Sequence, residues 1–233
     1  MHAIVMAAGE GSRLRPITDR WPKPVLPIDG RPVIATLLRE LTATGCDLAV
    51  VVTGHLAEHI EELTGDGSAF GLEVRTARQP GVLGSADAVQ RGLAAGAVPP
   101  CLVVAADTVF TPGDVRRFVE AFASSGVAGA MSGRRDPAAV LPQRAPIKIV
   151  DGLVEKPIDD DPGNPLGSAP LWGLGPELVP FLADLAGPPY ELNHAFVNGI
   201  AAGLAIAGVE IGKTRDLTHP EDLIRENFTY LGS

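Results

Sequence analysis

Short apolar runs and helix-length amphipathic segments alternate along most of this chain, and that alternation leaves few folds open. Runs at 2–7, 48–53, 72–76, 101–106 and 127–132 have the length and apolar content of strands buried on both faces. Between them, 33–44, 55–63, 85–95 and 113–124 read as helices. A strand–helix–strand order of this kind predicts βαβ units, hence an α/β fold with a doubly wound, mostly parallel sheet. Further along, 147–150 and 168–174 read as strands flanking a Pro- and Asp-rich loop at 157–167, and helices are expected near 176–186, 191–207 and 219–227. At 233 residues the chain fits one domain, 1–233, on a prior of about 100–200 residues per domain.

Composition narrows the class. With 45% hydrophobic and 20% charged residues the chain reads as an ordinary globular protein. A net charge of −9 argues against nucleic acid as a partner, because such binding needs a large basic surface. Residues 1–31 run against that trend, with five basic side chains (Arg13, Arg15, Arg20, Lys23, Arg31) against three acids (Glu10, Asp19, Asp29), so a small polyanion is the expected guest of this end. No segment has the make-up of a signal peptide, and the weakly charged stretch 195–209 is too short to span a bilayer; no membrane partner and a cytoplasmic location are expected. Cys46 and Cys101 lack metal-site spacing and read as buried thiols of a reducing compartment.

The first apolar run ends in Ala7-Ala8-Gly9-Glu10-Gly11-Ser12-Arg13. Gly9 and Gly11 permit positive φ and close backbone approach, so successive N–H groups can face one anion, and Arg13 adds a permanently charged fork. Two familiar glycine loops fail here. A P-loop needs Gly-Lys-Ser/Thr at its end, and the dinucleotide fingerprint needs a third glycine where this chain has Ser12 or Leu14. In open α/β sheets ligands bind at the carboxyl ends of strands, and the Gly9 loop, Thr53-Gly54, Gln79 and Asp107 all fall there.

The composite G-x-G-x-R-x-x-P over Gly9–Pro16, followed by Pro22-Lys23-Pro24, resembles the signature of the sugar-phosphate nucleotidyltransferases, the NDP-sugar pyrophosphorylases. Further matches follow in family order along nearly the whole chain. The resemblance implies a Rossmann-like nucleotide-diphospho-sugar transferase fold. It also implies a reaction in which a sugar-1-phosphate oxygen attacks the α-phosphorus of an NTP and pyrophosphate leaves. On this basis Arg13 and Lys23 are the catalytic cations, and Ala8, Gly9, Gly11 and Ser12 cradle the nucleotide's phosphates. Asp107 at the end of a buried strand and Asp216 near the C-terminus are the expected ligands of Mg²⁺. Gln79, Gly84 and Ser85 resemble the base-recognition segment, and Glu155 and Lys156 resemble the family's sugar-binding Glu-Lys-Pro element.

The same residues carry plainer readings. Asp107 could cap the next segment, Gln79 could be an ordinary loop residue, and Ser85 with Asp87 could simply begin a helix. Thr218 is expected to cap the last helix, with Pro220, Glu221 and Asp222 in its first turn. His55 and His59 lack a third metal ligand and read as a solvated helix face. Trp21 and Trp172 read as packing residues, Trp172 falling where the family's sugar wall would be.

Ala7-Ala8-Gly9, in place of the Gly-Gly form common in guanylyl and thymidylyl relatives, favours UTP or CTP. No hexapeptide repeat follows, so the β-helix that many relatives append is not expected. Short relatives include heptose-1-phosphate guanylyltransferases, N-acetylmuramate-1-phosphate uridylyltransferases and phosphocholine cytidylyltransferases, and the fold does not choose among them. The acceptor and the oligomeric state, a homo-oligomer included, stay open. A catalytically silent, nucleotide-sugar-sensing subunit of the same fold is the rival reading; it predicts loss of Arg13, Lys23 or a metal aspartate, and all are present.

Overall fold

The computed structural model describes residues 1–135, 146–161 and 163–228. The chain runs β1 (His2–Ala7), β2 (Pro27–Ile28), β3 (Arg31–Pro32), α1 (Val33–Ala43), β4 (Leu48–Thr53), α2 (Ala57–Thr64), β5 (Glu73–Arg78), α3 (Ser85–Ala94), β6 (Cys101–Ala105) and β7 (Thr108–Val109). It continues through α4 (Asp114–Ser125), β8 (Gly129–Arg135), β9 (Lys148–Val150), β10 (Leu153–Lys156), β11 (Leu166–Leu174), α5 (Leu192–Ala201), β12 (Ile206–Ile211), β13 (Arg215–Asp216) and α6 (Pro220–Asn227).

Nine strands form one sheet in the order β5-β4-β1-β6-β11-β8-β12-β10-β9. β5, β4, β1 and β6 are mutually parallel, with Ile4 level with Val50 on one side and Val103 on the other. β11 runs against β6 and β8, β12 is parallel to β8, and β10 again reverses. The sheet is therefore α/β and mostly parallel in direction, as the alternation implies, with two reversed strands in its C-terminal half.

Central position explains the unbroken apolar runs. All six residues of β4 are buried, because helices cover both faces of the sheet. On one face α1 presents Ile34, Leu37, Leu38 and Leu41, the spacing of a single helical stripe, and packs with Phe118 of α4 against Val5, Val51 and Val104. On the other face Val89 of α3 and Phe196 of α5 meet Ile4, Val50 and Val103. Cys46 and Cys101 are buried free thiols, and burial pushes them up to about 11 and about 12. Among the described residues no helix is long and apolar enough to cross a membrane.

Sequence expectation and structure part company after β8. The helix expected at 191–207 is α5, which stops at Ala201, followed by the six-residue strand β12. Gly203 at φ +92° turns the chain between them, and the Ala- and Gly-rich composition of both elements hides the change of period. The segment near 176–186 holds 3-10 turns over Pro176–Leu182, because Pro180 interrupts the α-helical ladder. The strand expected at 127–132 runs Gly129–Arg135, which extends it to an arginine at its carboxyl end.

Glu40 of α1 is half-buried, and burial followed by the negative charge of Asp114 pushes its carboxyl up to about 7 from 4.5. The folded state thus binds more protons than the unfolded chain between those values, so stability falls as pH rises through that window and levels off above it. Glu40→Gln should raise the melting temperature at pH 8 and leave it nearly unchanged at pH 4.5, as thermal melts at the two pH values would record.

Candidate active site

The loop after β1 folds into three consecutive 3-10 turns, Ser12–Leu14, Ile17–Asp19 and Lys23–Val25. Gly11 sits at φ +61°, a left-handed conformation that lets the chain reverse immediately after the strand. A side chain there would also press on Thr18, whose hydroxyl donates to the Gly11 carbonyl at 2.9 Å. The imidazole Nε2 of His55 lies 2.7 Å from the Thr18 carbonyl oxygen and pins the second turn; His59 lies against Trp21, ring centroids 4.9 Å apart. Trp21 is 52% exposed, so it packs on His59 at the surface and not in the core. The two histidines brace the loop instead of forming a solvated face.

Lys23 stands between two buried prolines with its side chain only 12% exposed. Its ammonium lies 2.5 Å from Oδ2 of Asp107, which leaves the sheet directly after β6. Arg13, by contrast, is exposed and makes no ion pair or hydrogen bond among the described residues. Arg15 is held by Glu10 at 3.3 Å and Asp19 at 3.4 Å.

Asp216 reaches the same place by a different construction. β13 pairs with β7 so that Asp216 stands opposite Thr108, the neighbour of Asp107. Arg215 fixes this two-residue strand from behind, forking onto Asp29 at 2.6 and 2.9 Å and onto Glu226 of α6 at 2.6 Å. The guanidinium holds the Asp29 carboxyl below the usual carboxylate range, and Asp29 with Gly30 forms the positive-φ turn of the β2–β3 hairpin. One arginine therefore joins an N-terminal hairpin to the C-terminal helix and orients the residue next to it.

Thr218 is not the cap of α6. His219 occupies that position, and Oδ2 of Asp222 accepts hydrogen bonds from the backbone N–H groups of Thr218 at 2.7 Å and His219 at 2.9 Å. The carboxylate three residues into the helix supplies this reciprocal half of a capping box. The Thr218 hydroxyl is left to donate to Oδ2 of Asp216 at 3.2 Å.

Two adjoining cavities of about 310 Å³ each open here. The first is lined by Gly9, Gly11, Ser12, Arg13, Lys23 and Asp107, among others. The second shares Arg13, Lys23, Asp107 and Thr218 with it and adds Asp216, Arg134, Ser168, Trp172 and Asn193. Both expected aspartates thus face one space. Their donors are hard oxygens, and among the described residues no group of three or more His, Cys, Asp or Glu side chains is gathered to hold a metal. Such a pair suits Mg²⁺, which takes one or two carboxylates and fills its shell with water and phosphate oxygens, and does not suit a closed zinc site.

The other expected residues lie outside these linings. Gln79 is buried, and its amide nitrogen donates to the Gly84 carbonyl at 3.0 Å and to Asp87 at 2.7 Å, so within this loop it is a brace. Ser85 receives the Leu192 N–H at 2.8 Å and donates to Glu191 at 2.7 Å, tying the start of α3 to the start of α5. Lys156 pairs with Asp159 at 3.1 Å, and Glu155 with Lys148 at 3.0 Å. Ala8 packs against Gly54.

Sequence reasoning missed Arg134, Asn193 and Ser168. Arg134 carried one usable signal, its position at the carboxyl end of a strand. Asn193 carried none: it holds the Trp172 indole N–H at 3.1 Å across 21 residues of sequence.

Fold and site together define an α/β enzyme-like scaffold with cations and carboxylates gathered at the carboxyl edge of its sheet. A family model described as nucleotidyl transferase matches residues 2–164, and the chain belongs to that family. It is 37% identical over 110 residues to an N-acetylmuramate alpha-1-phosphate uridylyltransferase of Neisseria meningitidis, covering 47% of this chain and 48% of that protein. It is 31% identical over 241 residues to a low-salt glycan biosynthesis nucleotidyltransferase of Haloferax volcanii, covering 97% of this chain and 65% of that one. The matched stretches thus span about half to two thirds of these relatives' own lengths. Among solved structures, a UDP-glucose pyrophosphorylase from Acinetobacter baumannii superposes with a TM-score of 0.82 at 18% identity, over 98% of this chain and 92% of that one. At that identity the likeness speaks for the fold.

Proposed function

We propose that this chain transfers a nucleoside monophosphate from an NTP to a sugar-1-phosphate or similar phosphorylated small molecule, releasing pyrophosphate and giving an NDP-sugar. The observation that carries this reading is the convergence of Arg13, Lys23, Asp107 and Asp216 on two joined cavities at the end of a glycine-rich turn. An acceptor phosphate oxygen forms a bond to the α-phosphorus while the bond from that phosphorus to the bridging oxygen of pyrophosphate breaks. Little covalent chemistry falls to the protein, and charge neutralisation with in-line positioning supplies the rate.

Arg13 is free to close on the departing pyrophosphate with a bidentate fork. Lys23 is a nearly buried point charge already aimed at the reacting region, and it balances the α-phosphate as its charge redistributes. Asp107 and Asp216 are the residues that would hold Mg²⁺, which supplies further neutralisation of the triphosphate when bound. Ala7-Ala8-Gly9 and the uridylyltransferase relative support UTP, with CTP next.

The test is a matrix of the common NTPs against sugar-1-phosphates and phosphocholine, with and without Mg²⁺, read by pyrophosphate release. Turnover for at least one pair, abolished by EDTA, is expected. Nucleotide binding with no pyrophosphate from any pair would instead identify a sensing subunit.

A further inference from the structure

Gln79 is 7% exposed, and both hydrogens of its amide nitrogen are taken, one by the Gly84 carbonyl at 3.0 Å and one by Oδ2 of Asp87 at 2.7 Å. Its Oε1 accepts no hydrogen bond among the described residues. Which end of an amide faces which neighbour follows from what those neighbours can do. A carbonyl and a carboxylate only accept, so the nitrogen faces them and the oxygen faces away.

Asp87 is fixed in its turn. Arg91, one turn further along α3, donates to it from Nε at 2.6 Å and from Nη2 at 3.2 Å, while its Nη1 donates to the Arg78 carbonyl at 3.1 Å. Burial pushes the Asp87 carboxyl up, but the hydrogen bonds from Arg91 and Gln79 outweigh it and hold the group below its ordinary range. Near neutrality it has no proton to offer, so Gln79 cannot turn over without setting its oxygen against a carboxylate.

The remaining acceptor stands where a nucleoside would reach. Ala7, Thr53 and Arg78 are level at the carboxyl ends of β1, β4 and β5, and the Gln79 N–H donates to the Thr53 carbonyl at 2.8 Å. Two strand spacings, about 10 Å, thus separate Gln79 from the glycine turn after β1. That is comparable with the span of a nucleoside from its 5′ oxygen to the far edge of its base.

Resting on the reading above, we infer that Asp87, held by Arg91, is a positioning residue that locks the Gln79 amide with only an acceptor toward the base, so that the site takes a pyrimidine carrying a proton on N3 and turns cytosine away. Uracil and thymine offer that N–H. Cytosine presents a bare N3, which sets two acceptors against each other and leaves a nearly buried group unpaired.

The experiment measures kcat/KM for UTP and for CTP, with the acceptor that the wild type turns over best, in the wild type, Asp87→Asn, Gln79→Leu and the double variant. The wild type should favour UTP by about tenfold or more. Asp87→Asn, whose neutral amide can meet either end of Gln79, should cut that preference about fivefold or more and leave the acceptor's KM within about twofold. In the Gln79→Leu background the same substitution should change the preference no further, because Asp87 acts through Gln79. If Asp87→Asn does not fold, Arg91→Gln, which releases the carboxylate, carries the test with a smaller loss of preference in the same direction. Use of CTP or a purine nucleotide as readily as UTP by the wild type, or a preference for UTP that survives these substitutions intact, would overturn the assignment while leaving nucleotidyl transfer in place. A wild type that turns over no pair would remove the transfer reading, and this inference with it.

Discussion

Asp107→Asn is expected to lower kcat by about 10²-fold or more, with the fold intact. Asparagine keeps the shape of the side chain and one of its oxygens but removes the negative charge. Two partners depend on that charge: the Lys23 ammonium at 2.5 Å and the Mg²⁺ that Asp107 would share with Asp216. Half of a two-carboxylate ligand set is thereby lost, and Lys23 is no longer held toward the reacting phosphates. The Lys23 side chain is only 12% exposed and loses its counter-charge, keeping at most the asparagine oxygen as an acceptor, so the melting temperature should fall modestly while the fold persists. Steady-state kinetics across a Mg²⁺ titration, together with a thermal melt, checks both halves. Near-normal Mg²⁺-dependent turnover would remove Asp107 from the ligand set.

Gly84→Ala is expected to act on stability more than on chemistry. Gly84 lies at φ +98°, and a Cβ there would stand 2.4 Å from the carbonyl oxygen of Tyr190 and 2.5 Å from its nitrogen. Those two atoms form the latch between the loop and the start of α5: Tyr190 N–H donates to the Leu83 carbonyl, and Ala86 N–H to the Tyr190 carbonyl, both at 2.8 Å. Adding one methyl therefore combines a glycine-only backbone conformation with a backbone overlap, a cost of about 2–4 kcal/mol. In a chain of this size that corresponds to a fall in melting temperature of roughly 5–15 °C. A variant that melts like the wild type but chooses poorly among NTPs would mean that Gly84 serves the base and not the latch.

The sequence made the first half of this fold legible for a physical reason. Strands β1, β4 and β6 are buried on both faces, so they are apolar without interruption, and the helices between them need only one apolar stripe. β12 escaped because Ile206–Ile211 follows an Ala- and Gly-rich helix after a single turning glycine, and neither element has enough large apolar side chains to display its period. The site divides along the same line. Arg13 and Asp107 stand within a few residues of strand ends, where a residue's place in the chain gives its place in space, whereas Lys23, on the third 3-10 turn past β1, was legible through the family resemblance. Asp216 was legible only through family resemblance, since its position depends on Arg215 bridging Asp29 and Glu226 across nearly the whole sequence. Arg134 and Asn193 enter the cavity wall through sheet pairing and a tertiary hydrogen bond, relationships that no local pattern encodes. Gln79, Gly84 and Ser85 matched a motif by type, yet their hydrogen bonds run to the loop and to α5.

On this reading one triphosphate and one divalent ion meet Arg13, Lys23, Asp107 and Asp216 together. Its most direct test is anomalous diffraction from crystals of the protein grown with Mn²⁺ and a non-hydrolysable UTP analogue. A manganese peak is expected at bonding distance from both carboxylates, about 2.0–2.2 Å for a small octahedral ion of this kind, with phosphate oxygens completing its shell and Arg13 folded onto the terminal phosphates. A metal bound to one aspartate alone, or a triphosphate lodged away from the Gly9–Arg13 turn, would contradict it.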